Sequence, residues 1–236
     1  MFRYIKEHVS AKKLCAWSDA CGGQNRNIKV ALLWMYLVSL DSCPIEEIEH
    51  KFCVSGHSYL PNDRDFSQIE NKLRKIGNMY SYEEFCNVVA SCKQNKNKFK
   101  VVKMTAEEFY STEALQMLIT NRKKDSKKNK VNWLNMKVIR VVKSKPGILF
   151  FKYSYDPDTP YLELDLKKRL GGPLLSEANM ALLHPNGHFI SRAKYNDILC
   201  LLKYVPPVCH DFFVNLVVDD KSAIDTDFDL ISEDED

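Results

Sequence analysis

The sequence predicts an α/β fold: a parallel strand pair near the N-terminus, a smaller α+β region after it, and terminal helices. Three observations carry this. Residues 14–18 are a short apolar run and residues 48–54 a second strand, separated by a long apolar helix, and a strand, crossover helix and second strand of that length make a right-handed parallel unit. Each run stops at a polar turn with glycine, Cys21-Gly22-Gly23-Gln24-Asn25-Arg26-Asn27 after the first and Gly56-His57-Ser58 after the second. From Phe99 onward the texture changes to strand-like runs joined by a basic stretch and a Pro-Gly turn. Ligands of parallel units gather beyond the carboxyl ends of the strands, where Asp19 and His57 stand.

The elements follow in order. Residues 1–13 form a helix or irregular lead-in. In residues 28–40, Ile28, Ala31, Leu32, Met35 and either Val38 or Ser39 mark one stripe, while Leu33, Trp34, Tyr36 and Leu37 fill much of the opposite face, so this helix is covered on more than one side. Asp41-Ser42-Cys43-Pro44 breaks it and Ile45-Glu46-Glu47 leads into the second strand. Pro61-Asn62-Asp63-Arg64-Asp65 opens a helix carrying Phe66, Ile69, Leu73 and Ile76 at helical spacing. Residues 82–91 form the next, with Phe85, Val88 and Val89 inward, Ser81 as cap and Glu84 completing a capping box. Residues 95–98 are a loop, 99–104 a strand, and 105–108 open a helix. Residues 121–130, with six bases and one acid, are a mobile polar run. Residues 131–142 and 148–155 are strands joined through Lys143-Ser144-Lys145-Pro146-Gly147, and 161–166 adds a third. Gly171-Gly172-Pro173 is a linker. An amphipathic helix over 191–204 uses Ile198, Leu199, Leu201 and Leu202, Pro206-Pro207 ends it, and 209–218 is a last short helix.

Length and composition bound the reading. With 236 residues and 45% apolar content, the chain buries a real core as one large or two modest domains. No apolar run approaches the roughly 18 residues of a membrane span, and the first residues lack a signal peptide's apolar stretch. A soluble intracellular protein, nuclear or cytoplasmic and without a membrane partner, is expected. The eight cysteines show no Cys-x-x-Cys pair and read as reduced thiols; a zinc site from Cys15, Cys21, Cys53 and His57 is the geometric alternative. The net charge of +3 hides a division. Residues 219–236 hold nine acids against Lys221, leaving 33 bases and 22 acids, a balance of +11, in residues 1–218. A basic body with a disordered acidic tail suits nucleic-acid binding, although solubility alone also explains such a tail.

Asp19 ends a strand beside a glycine turn, a place for a carboxylate that holds Mg²⁺ or Mn²⁺ or for one that caps the following helix. Asp63 carries the same two readings. Two carboxylates on adjacent βα loops favour the metal, because two-metal phosphodiester chemistry needs converging carboxylates. His57 is a general base, metal ligand or phosphate contact, or a ring satisfied by a local carbonyl. Gly22-Gly23-Gln24-Asn25 is an alternative phosphate cradle at a helix N-terminus, without the Lys-Ser/Thr of a P-loop. Arg122, Lys123, Lys124, Lys127, Lys128 and Lys130, with Lys137, Arg140, Lys143 and Lys145 downstream, make either a solvated loop or a phosphate-contacting face. No organic cofactor is indicated.

Residues 18–27, then Gly56-His57-Ser58 and residues 61–66, resemble a transposon-associated family known as domain of unknown function 7869. Residues 146–155 and 201–207, with His210-Asp211-Phe212, are similar to it too. The resemblance covers residues 14–216 and implies the C-terminal half of a ribonuclease H-like core of transposases and integrases. Asp19 then matches the second of three acids and Asp63 the third, with Asp65 or Glu70 as substitutes. The first acid and three strands are expected upstream of Met1. The domains implied are 1–98 (partial ribonuclease H-like core), 99–170 (α+β region with basic loop and hairpin), 171–218 (C-terminal helices) and 219–236 (acidic tail). The expected function is that of a transposon-derived nuclease- or integrase-like protein, associated with nucleic acid and inactive as this isolated chain. The alternative is a non-catalytic module that binds protein partners or DNA.

Overall fold

Period-two burial in five short segments builds the central sheet of a computed structural model, which describes residues 4–5, 8–54, 56, 60–93, 98–167, 175–187 and 189–219. The strands are β1 (Lys13–Ser18), β2 (Glu47–Phe52), β3 (Val138–Val142), β4 (Ile148–Lys152) and β5 (Leu162–Asp165), in the order β1-β2-β3-β4-β5. β1 and β2 run parallel, from Lys13 opposite Glu47 to Ser18 opposite Phe52. The other three pairings are antiparallel, so the sheet is mostly antiparallel and its parallel character is confined to β1 and β2. The connections explain the difference. Residues 19–46 are long enough to return the chain to the same sheet edge through a helix, whereas β3 and β4 are joined by a tight turn at residues 143–147.

The chain divides into two units. One contains Met1–Tyr59 and Tyr110–Ala181, the other Leu60–Phe109 and Leu182–Asp236. In the first, the sheet's inner face places Ile48, His50 and Phe52 of β2 beside Ile139 and Val141 of β3, Leu149 and Phe151 of β4 and Leu164 of β5, all buried. Helix α1 (Ile28–Ser39) covers them with Ala31, Leu32, Met35 and Val38. Trp34 and Leu37, on its other side, are buried as well, as two-sided coverage required. Alternate residues form the outer face, where Glu47, Glu49 and Lys51 of β2 keep partial contact with water. Residues 99–170 thus give β3, β4 and β5 to the sheet of β1 and β2.

The second unit holds α2 (Pro61–Ile76), α3 (Tyr82–Ala90), α5 (Arg192–Leu201) and α6 (His210–Val214), with two-residue strands β6 (Ile190–Ser191) and β7 (Val218–Asp219) paired in parallel. A short α4 (Glu113–Gln116) belongs to the first unit. The capping box of α3 forms as the sequence spells it: Glu84 N donates to Ser81 Oγ at 3.1 Å, and Ser81 N to Glu84 Oε2 at 3.2 Å. Its buried residue is Cys86, with Val88 and Val89 half-buried and Phe85 exposed, so the inner side is turned from the expected one.

Several expectations need correction. Residues 99–104 form no strand, because no neighbouring strand offers them a ladder. Residues 131–137 hold a 3-10 turn (Trp133–Asn135), and β3 starts only at Val138. The last helix is α6, five residues long, and β7 follows it. The basic run 121–130 is folded into a small hydrogen-bonded hairpin. The linker at 171–173, the loop residues 95–97, His57 and the tail from 220 lie outside the described residues.

Candidate functional site

The turn after β1 is organised by Asp19. Its Oδ1 accepts from Cys21 N at 3.3 Å and from the Asn25 side-chain amide at 2.5 Å. The Cys21 carbonyl accepts the backbone N–H groups of Gln24, Asn25 and Arg26, at 3.3, 2.8 and 3.0 Å. Those amides point inward, so the Gly-Gly-Gln-Asn turn does not offer them to a phosphate. Asn27 caps α1, accepting from Val30 N at 3.0 Å and donating to Gly22 O at 3.0 Å. Asp19 is therefore no helix cap; it closes the loop, and its Oδ2 has no hydrogen-bond partner among the described residues.

Behind Asp19 runs a buried polar line that the sequence did not announce. Trp34 Nε1 donates to His50 Nδ1 at 3.2 Å, and His50 Nε2 lies 2.9 Å from Ser18 Oγ. An indole N–H can only donate, so Nδ1 accepts and the imidazole hydrogen sits on Nε2, directed at Ser18. Ser18 in turn donates to the Asp19 carbonyl at 2.9 Å. His50 is 4% exposed and burial pushes its pKa down to about 4, so it is neutral at neutral pH. This histidine donates to the serine instead of accepting its proton. The pair positions the end of β1 and is not a nucleophile with its base.

Asp63 lies in the second unit, at the third position of α2, where its Oδ2 accepts Leu60 N at 2.7 Å. The Asp63 carboxylate thus takes up the N-cap amide of a helix whose N-cap, Leu60, has no side-chain acceptor, with Pro61 beginning the helix. Asp65 pairs with Lys93 at 2.5 Å and Glu70 with Arg74 at 2.8 Å. Among the described residues, no group of three or more His, Cys, Asp or Glu side chains is gathered as a metal site. The Asp19 turn by itself supplies one free carboxylate oxygen. That fits a water-rich Mg²⁺ contact completed by a phosphate, and does not by itself make a two-metal centre.

The basic run is a small hairpin built around one acid. Asp125 is 8% exposed. Its Oδ1 accepts Lys127 N at 2.9 Å and Asn129 N at 2.8 Å, and its Oδ2 the Asn129 side-chain amide at 3.1 Å. Burial opposes ionisation, yet these bonds and nearby Lys127 hold the carboxyl below its ordinary range. Lys124 and Lys130 face each other in an antiparallel bridge, and Lys128 takes the left-handed turn at φ 67°. Ser126 ties the hairpin to β5, its N and Oγ donating to Glu163 O at 2.8 and 3.0 Å. The side chains of Lys123, Lys124, Lys127, Lys128 and Lys130 are exposed, and neither they nor Arg122 form an ion pair among the described residues. Two downstream bases differ: Arg140 pairs with Glu47 at 2.7 Å, and Lys143 Nζ donates to Leu40 O at 3.0 Å and Cys43 O at 3.2 Å. Both serve the fold.

Residues 3–145 match the model of the family described as domain of unknown function DUF7869. The chain belongs to that family. The DUF7869 match takes in the Asp19 turn, the start of α2 and the basic hairpin, and ends in the turn between β3 and β4. No curated protein and no solved structure matches the chain. No helix among the described residues is long and apolar enough to cross a membrane.

Proposed function

We propose that this DUF7869 chain is a nucleic-acid-associated protein of transposon descent, with a core derived from a ribonuclease H-like transposase or integrase, that binds nucleic acid without cutting it on its own. The observation that carries this reading is the ordered hairpin of Lys123, Lys124, Lys127, Lys128 and Lys130. Like charges held side by side repel one another and attract a polyanion, and here a buried carboxylate sets the geometry without forming an ion pair with any of the ammonium groups among the described residues. The excess of 33 bases over 22 acids in residues 1–218 works in the same direction. Descent from a nuclease core is supported by the parallel β1–α1–β2 unit with an acid beyond β1. Binding without cleavage is supported by Asp19's use as the loop's own clasp.

A second reading, a protein-interaction module, is favoured by the apolar surface of the second unit, where Val208 is 87% and Tyr204 68% exposed. The two readings separate in one experiment. A labelled DNA duplex is titrated with the 236-residue chain at low salt, with chelator and then with Mn²⁺. The proposal expects binding in both and cleavage in neither. No binding at any salt concentration leaves the protein-interaction reading, and Mn²⁺-dependent cleavage lost on Asp19→Asn shows a working nuclease.

A further inference from the structure

A second feature of the first unit lies at the carboxyl ends of β1 and β2. Trp17, on the outer face of β1, is 50% exposed, and Tyr155, three residues past β4, is 39% exposed. Their rings are nearly parallel, 22° between planes and 6.3 Å between centroids. Tyr155 is fixed across the end of β2 by its hydroxyl, which donates to the Phe52 carbonyl. Lys51 Nζ stands 5.5 Å from the Trp17 ring and Lys137 Nζ 5.9 Å from the Tyr155 ring. Lys51 is paired with Glu49 at 2.7 Å, whereas Lys137 has no acidic partner among the described residues.

Arg26 adds an independent observation. It is 9% exposed, its Nε has no hydrogen-bond partner, and its one bond is a long 3.4 Å contact from an Nη to the Met136 carbonyl. No carboxylate accompanies it among the described residues, and burial pulls its pKa below the ordinary guanidinium value. A buried guanidinium without a counter-charge is costly, and an oxyanion such as a phosphate matches its planar fork.

We propose that Trp17, Tyr155, Lys137 and Arg26 form a site for an unpaired nucleotide, with a base stacking on Trp17 and its phosphate drawn to Lys137 and Arg26. The ligand class is single-stranded nucleic acid. Only an unstacked base presents a free face to an aromatic ring, and interleaved rings and cations are the pattern that tracks a single strand. This rests on the nucleic-acid reading above and narrows it: the basic hairpin contacts phosphates of any strand, and the aromatic site selects unpaired ones.

The test is fluorescence anisotropy with labelled oligothymidylate, oligouridylate and a duplex of equal length, at low salt with chelator. Trp17→Ala is expected to weaken single-strand binding about 10-fold, within the range of one lost base stack, and to leave duplex binding unchanged. Trp17→Phe keeps most of the affinity, and thermal melts of both variants check folding. Lys137→Ala, which keeps the backbone bonds of Lys137 to Phe52 and Lys152 and is checked by the same melts, weakens single-strand binding a further few-fold in the Trp17→Phe background. Thymidylate and uridylate titrations tell DNA from RNA. Equal losses for duplex and single strand, or no loss on Trp17→Ala, overturn the site while leaving the binding reading in place. Failure of the unaltered protein to bind any of the three probes overturns both.

Discussion

Acid should loosen the first unit through His50, and the size of the effect follows from its surroundings. The imidazole is buried between Trp34 and Ser18, and its pKa lies near 4 in the folded chain against 6.5 when exposed. Below pH 6.5 the unfolded chain takes up a proton that the folded chain refuses until about pH 4, so the unfolded state binds more protons and stability falls as pH drops. The slope is about 1.4 kcal/mol per pH unit inside that window. At pH 5 the loss is about 2 kcal/mol, and it levels off near 3 kcal/mol below pH 4. His50→Gln keeps one acceptor for the indole and one donor for Ser18 but cannot titrate. Urea unfolding at pH 7 and pH 5 should therefore show a loss of about 2 kcal/mol in the native chain that is absent in His50→Gln. Equal losses in the two proteins would refute the reasoning, since the proton would then be going elsewhere.

Two further perturbations address the turns that shape the sheet and the hairpin. Gly147 closes the β3–β4 turn at φ 78°, and a Cβ there would stand 2.5 Å from Lys167 Cγ. Gly147→Ala should cost about 1–2 kcal/mol by thermal melting, and an unchanged melting temperature would contradict this geometry. Asp125→Ala removes the acceptor of Lys127 N and Asn129 N. Hydrogen exchange at those amides should accelerate and DNA affinity should fall, although no lysine is lost; retained protection would show that the bridge at Lys124 and Lys130 holds the turn alone.

Much of the first unit was legible because burial enforces period. The apolar stripe of Ile28, Ala31, Leu32 and Met35 marked a buried helix, and the strands on either side of it were marked by length and by the glycine turns that close them. Ser81 and Glu84 announced a cap because both bonds form within four residues. Residues 99–104 misled because β-branched and aromatic content makes a strand only where a partner exists. The basic run looked mobile because its charges outnumber its apolar groups; the signal overlooked was Asp125 followed by Asn129, an acid and an amide spaced to fold a turn on themselves. Asp63 carried both a metal and an N-cap reading; the helix starts one turn earlier than the cap reading required, with Leu60 as N-cap, Pro61 at the first position and Asp63 at the third. His50 and Arg26 could not be singled out at all, since nothing local marks a polar side chain for burial by distant segments.

The central claim is that the hairpin's unpaired cations bind nucleic-acid phosphates, and the salt dependence of DNA binding tests it most directly. Each phosphate contact adds about 0.9 to the magnitude of the slope of log affinity against log salt on duplex DNA. Replacing Lys127, Lys128 and Lys130 with alanine should lower that magnitude by about 2–3 and weaken binding alike across sequences. A slope unchanged by the triple substitution would contradict the claim, because the cations the fold holds ready would then not be those that meet the DNA.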